Sequence, residues 1–93
     1  MNITQIIKIV SEETGISTNL IVNPSRKQEV VLARHLSMWA CRWYSGQPLL
    51  KIAAAHNRIQ HGSVIHASNS IEDQRSVNKK LDELCKKIVT RIK

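Results

Sequence analysis

Apolar residues recur along this chain with a helical period. Ile3, Ile6, Ile7 and Val10 follow at spacings of three, one and three, which puts them on one stripe of a helix. Asn2 and Thr4 both suit its N-cap, and Gly15 suits the left-handed residue that ends it. Ser17 or Thr18 starts a short second helix through Leu20, Ile21 and Val22, and Asn23-Pro24 breaks it. The longest predicted helix opens at Ser25, its expected cap, and runs to Gly46. Glu29 lies in its early turns, where negative charge suits the helix dipole. Leu32, Leu36, Trp39 and Trp43 form its stripe, and Val31, Met38 and Cys41 widen the apolar arc. A helix apolar on most sides belongs in the middle of a small bundle.

Pro48 fits the first turn of a fourth helix, which carries Leu49, Leu50, Ile52 and Ala53 and ends near His56. Asn57 to Gln60 reads as a turn. A fifth helix follows from His61, with Val64, Ala67, Ser68 and Ile71 facing inward. The pattern resets near Asp73 to Ser76. A sixth helix then carries Val77, Leu81, Leu84 and Ile88, extended by Ile92, and sets Lys79, Lys80, Lys86, Lys87 and Arg91 on its other side. No segment alternates with period two, so no strand is predicted. The expected fold class is all-α: one domain over residues 1–93, a bundle of five to six short helices.

Composition agrees with a folded domain. The chain has 93 residues, 42% hydrophobic and 23% charged, near the globular norm and too short for a second domain. Its two cysteines, Cys41 and Cys85, are too few for a disulfide framework and are expected to pack as small hydrophobes. The N-terminus lacks the pattern of a signal peptide, and no apolar run approaches the roughly 18 residues that span a bilayer. A reducing cytoplasm is the expected compartment. Lys and Arg total 14 against 7 acids, a net charge of +7. With a pI near 9.9, this is the electrostatic footprint of a nucleic-acid binder, shared with some membrane-surface and ribosome-like proteins.

Enzyme chemistry finds no support in the pattern. His56, His61 and His66 are spaced by five, so on a helix successive members point roughly 140° apart and cannot share a metal. Ser63 has no nucleophile elbow around it, and the glycines at 15, 46 and 62 form no phosphate loop. The expectation is a protein without catalysis, metal, cofactor or small-molecule substrate.

The residues from Pro48 to Ile71 offer a different function. Two helices joined by a short turn make a helix-turn-helix candidate over about 48–71. The second helix of such a motif enters the major groove, and here its leading end presents Gln60, His61, Gly62 and Ser63. Gln bonds adenine bidentately, while His and Ser both donate and accept. Gly62 permits close backbone approach, and a helix start presents N–H groups to phosphate. A plain helical hairpin with a polar turn is the competing reading. Ser25-Arg26-Lys27, after the Pro-broken segment, suits a basic arm in a minor groove, and Arg34 and Arg42 suit phosphate contacts. Solvated cations would give the same pattern.

Two segments resemble a known family. Ser25-Arg26-Lys27-Gln28-Glu29-Val30-Val31-Leu32-Ala33-Arg34-His35-Leu36-Ser37-Met38 is similar to the S-R-K-R-E-V-V-x-A-R-Q-x-A-M stretch of the C-terminal DNA-binding domain of the bacterial replication initiator DnaA. Ile59-Gln60-His61-Gly62-Ser63-Val64-Ile65-His66-Ala67 is similar to that family's R-D-H-T-T-V-L-H-A signature, in the same ungapped register. Thr14-Gly15-Ile16-Ser17 and the short Leu-containing helix extend the likeness towards the start of the chain. The resemblance implies sequence-specific binding of short duplex boxes. By position, Arg26 becomes the minor-groove Arg, and Gln60, His61, Gly62 and Ser63 the base-reading tip. Leu49 and Leu50 fall where the family contacts thymine methyls, and Arg34 and Arg42 on its backbone-contacting basic positions.

The departures from the family pattern bear on specificity. Gln60 replaces an Asp that accepts from cytosine, so the preferred box is expected to differ. Gly62 replaces a Thr, removing a methyl and a hydroxyl. Ile59 replaces an Arg, and Asn57-Arg58 replaces two glycines, so Arg58 is the candidate to restore the lost charge. Nothing in the chain resembles the initiator's ATPase domain. The Met start and the length of 93 residues suggest a standalone, monomeric protein. Its expected role is a regulator at DNA sites in replication or transcription, or a phage or mobile-element protein. The alternative is a non-catalytic protein-interaction module on the same scaffold.

Overall fold

The computed structural model describes all residues, Met1–Lys93, and contains six helices and no strand. Helix α1 spans Ile3–Thr14, α2 Thr18–Val22, α3 Gln28–Tyr44, α4 Leu49–Ala55, α5 Gly62–Arg75 and α6 Lys79–Ile92. Their ends follow local chemistry. Asn2 takes the first N-cap: its side chain accepts from Gln5 N–H at 2.8 Å, and Gln5 Oε1 accepts from Asn2 N–H at 3.1 Å, a complete capping box. Gly15, at φ 75°, closes α1 in the left-handed conformation. Ser17 caps α2, and Asn78 caps α6 by accepting from Leu81 N–H at 3.1 Å.

Helix α3 is the axis, packing against each of the other helices. Trp39, Leu36, Met38 and Cys41 fill the centre with Ile6 and Val10 of α1, Ile21 of α2, Ile52 of α4, Ile71 of α5 and Ile88 of α6. All are essentially without solvent exposure, so each apolar stripe has found the same core. Trp39 Nε1 donates to Glu72 Oε1 at 2.6 Å. The Arg75 guanidinium lies over the Trp39 ring at 5.2 Å, and its Nε donates to Asp82 Oδ1 at 2.9 Å. This chain of contacts joins α3, α5 and α6. Arg91 closes the far side, pairing with Glu13 at 3.0 Å and with Glu12.

Three details differ from the sequence reading. Helix α3 starts at Gln28 with Lys27 at its N-cap, so Ser25 is not its cap; Ser25 Oγ instead accepts from Lys27 N–H within the preceding turn. Val77 is 87% exposed, because Asn78 caps α6 behind it and leaves it outside the helix; Cys85 takes the core place beside Leu81 and Ile88. Trp43, grouped with the apolar stripe, is 54% exposed near the end of α3 and is covered on one face by Arg42 at 4.7 Å.

Candidate nucleic-acid interface

Helices α4 and α5 form the predicted helix-turn-helix, and a buried histidine fixes the first of them. His56, with no solvent exposure, closes α4. Its Nδ1 lies 2.8 Å from the Ile52 carbonyl, which can only accept, so Nδ1 carries the proton. Nε2 then accepts from Ser37 Oγ on α3 at 2.7 Å. Both ring nitrogens are satisfied by the neutral imidazole. Burial is the main force holding this histidine below its ordinary pKa of 6.5. Helix α5 buries Val64, Ala67, Ser68 and Ile71, the inward face the sequence predicts.

That packing aims the leading end of α5 at solvent. Ile59, Gln60, His61 and Gly62 are exposed and Ser63 is half-exposed. Ser63 and Val64 turn their N–H groups back onto the carbonyls of Gln60 and His61, at 3.2 and 3.0 Å. The N–H groups of His61 and Gly62 have no backbone partner. The N–H groups of Ile59 and Gln60 also lack a hydrogen-bond partner, so the tip presents four free donors from Ile59 to Gly62. Gly62 has an ordinary helical backbone, and a Cβ there would meet nothing within 4 Å. The fold therefore does not require glycine at this position. The three histidines do not converge: His56 is inside, and His61 and His66 are on the surface.

The segment Asn23–Lys27 crosses from α2 to α3 with Arg26 and Lys27 exposed. Arg34, expected at a phosphate, is instead 4% exposed and faces inward. Its Nε donates to the Ile21 carbonyl at 3.0 Å, and its Nη2 donates to the carbonyls of Ser25 at 3.1 Å and of Asn23. The orphaned carbonyls at the end of α2 attract the guanidinium more strongly than solvent does. Arg42 is half-buried, stacks on Trp43 and has a buried Nη1 without a hydrogen bond. Leu49 packs partly on the core, while Leu50 is 60% exposed. Arg58 is half-buried, close enough to Arg34 and His35 for its charge to help hold both below their ordinary pKa, after the larger effect of burial.

The sequence reading left out several neighbours of this surface. His35 of α3 meets His66 of α5 edge-on, with ring centroids 5.9 Å apart. Asn57 occupies φ 57°, the left-handed region that Asn tolerates better than most residues, and its side-chain amide donates to the Val22 carbonyl at 2.9 Å. The presence of Asn where two glycines are expected was the available signal. Ile59 is 93% exposed, an apolar side chain standing in solvent between Arg58 and Gln60. Charge is segregated along the chain as well. The seven acids are Glu12, Glu13, Glu29, Glu72, Asp73, Asp82 and Glu83, so no carboxylate occurs from Val30 to Ile71, where Arg34, Arg42, Lys51 and Arg58 lie.

Comparison with known proteins finds the same pattern. Residues 3–71 match the family model described as the bacterial dnaA protein helix-turn-helix. A chromosomal replication initiator protein DnaA from Mycoplasma capricolum subsp. capricolum is 32% identical over 95 residues, covering 98% of this chain and 21% of that protein. The corresponding protein of Aquifex aeolicus is 30% identical over 80 residues, covering 86% of this chain and 20% of its own length. A solved crystal structure of a DNA replication initiation factor superposes with a TM-score of 0.80 at 28% identity, over 98% of this chain and 29% of that one. The chain thus spans about a fifth of the length of these curated relatives. With the sequence signature, the six-helix fold and the α4–α5 geometry in agreement, the chain belongs to the bacterial DnaA helix-turn-helix family.

Proposed function

We propose that this protein binds double-stranded DNA at specific sequences, with α5 in a major groove and Arg26 in the adjoining minor groove. The observation that carries the reading is the solvent-facing tip of α5, held by a packed helix-turn-helix in an acid-free stretch of chain. Gln60, His61 and Ser63 supply hydrogen-bonding groups for base edges, and Gly62 lets the backbone come close. Leu50, the more exposed of the two leucines, supplies an apolar surface for thymine methyls, with Leu49 behind it. Lys27, Arg42 and Arg58 supply charge for phosphates. The role that follows is that of a DNA-site-binding regulator of replication or transcription, in a bacterial, phage or mobile-element setting, acting as a monomer.

Selection from random duplexes at physiological salt tests this. The proposal expects one enriched motif, different from the family's usual box where Gln60 meets a base. No enrichment would remove it. Ile59, 93% exposed where the family signature has Arg, favours the second reading, a non-catalytic protein-interaction module. Absence of enrichment together with a protein partner lost on Ile59→Ser would support that reading.

A further inference from the structure

The two reading elements sit on different parts of the chain, and a reader that grips two grooves at once needs a fixed distance between them. Arg26 lies on an irregular segment only a few residues long, which on its own would move freely. Two side chains remove that freedom. Arg34, from within α3, gathers the carbonyls of Ile21, Asn23 and Ser25, the last adjacent to Arg26. Asn57, at the helix-turn-helix turn, donates to the Val22 carbonyl. Together they hold four carbonyls in the stretch from Ile21 to Ser25. One clamp belongs to the central helix and the other to the turn that leads into the recognition helix.

We infer that Arg34 and Asn57 form a bracket that sets the position of the Arg26 arm relative to the recognition-helix tip, and so are positioning residues for specific duplex recognition. This rests on the DNA-binding reading above. A guanidinium is suited to the task, because its planar fork reaches several carbonyls at once, which an ammonium cannot reproduce. The left-handed backbone of Asn57 brings its short amide within reach of α2. The bracket adds no groove contact of its own. Its benefit is to order the arm before DNA arrives, so that less entropy is lost on binding.

The test uses the full chain and the duplex enriched by wild-type selection, beside a shuffled duplex of the same length. The variants are Arg34→Lys, Asn57→Gly, Arg26→Ala, and Arg26→Ala combined with each of the other two. Glycine suits φ 57°, so Asn57→Gly removes the amide and spares the turn. Circular dichroism and melting report folding. A bracket predicts that Arg34→Lys and Asn57→Gly each weaken binding to the enriched duplex about tenfold. Binding to the shuffled duplex should change by less than about twofold, because phosphate contacts are retained. In the Arg26→Ala background neither should cost more than about a further twofold, since the arm they position no longer reads. Losses that add fully to that of Arg26→Ala overturn the bracket, as does equal loss on both duplexes. Wild-type binding by Asn57→Gly also overturns it, and decides the matter should Arg34→Lys not fold. If wild type enriches no duplex, the DNA-binding reading fails and the bracket falls with it. An enriched motif with additive losses sinks the bracket alone.

Discussion

At the residue scale, the environments of a few side chains assign their work. Arg26 and His61 are exposed and lie in the two signature segments. Replacing either with Ala should cost about 1–3 kcal/mol in binding to the preferred duplex, and relax preference at different base pairs, read by titration against single-substituted duplexes. Unchanged affinity in both would remove them as readers. Gly62→Thr should fold normally, because its Cβ enters open space, and should shift the enriched motif by returning a methyl and a hydroxyl to the tip. An unchanged motif would show that position 62 does not face a base. His56 and His35 bear on stability. Burial is the largest cause of the downward shift in both. Below the unfolded pKa of 6.5 the unfolded chain takes up protons that the folded chain refuses. Their stabilising contribution is therefore full above that pH and lost as pH falls from it towards their lowered folded values. For His56 the slope reaches at most about 1.4 kcal/mol per pH unit. Urea midpoints should drop between pH 7.5 and 5.5, and less steeply in His56→Gln; equal drops would contradict the assignment.

At the scale of the element, sequence pattern and structure agree where one stripe meets one core. The inward face of α5, Val64, Ala67, Ser68 and Ile71, is legible because its period matches a helix with one buried side. Ile71→Ala should cost about 2–5 kcal/mol through the cavity it leaves, seen as a lower melting temperature. Asn78→Ala should cost about 1 kcal/mol by losing the α6 cap, whereas Val77→Ala, outside the helix, should be nearly neutral. Comparable losses for Asn78→Ala and Val77→Ala would argue that Val77 packs after all. The stripe of α3 was harder to end. Trp43 continues its spacing but is exposed, while the next residue, Tyr44, packs on the core, and periodicity alone carries no information about where neighbours stop. The inward turn of Arg34 was illegible for a related reason. Its partners are main-chain carbonyls of another segment, and any residue type supplies those.

At the scale of the whole molecule, one distinction organises the rest. Carboxylates gather on α1, the start of α3, the end of α5 and α6, where Glu12, Glu13, Glu72 and Asp82 pair with Arg91, Arg75 and Lys86. From Pro48 to Ile71 the helix-turn-helix has none, so a polyanion meets little repulsion there. The net charge and family segments were readable before the fold; that the arm and the turn are tied to one short helix was visible only in three dimensions. A dimethyl sulfate footprint on the enriched duplex reads both grooves at once, because this reagent marks guanine N7 in the major groove and adenine N3 in the minor. The account predicts protection of both in neighbouring stretches, with His61→Ala exposing only the guanines and Arg26→Ala only the adenines. Protection confined to one groove, or lost in both from either substitution, would contradict it.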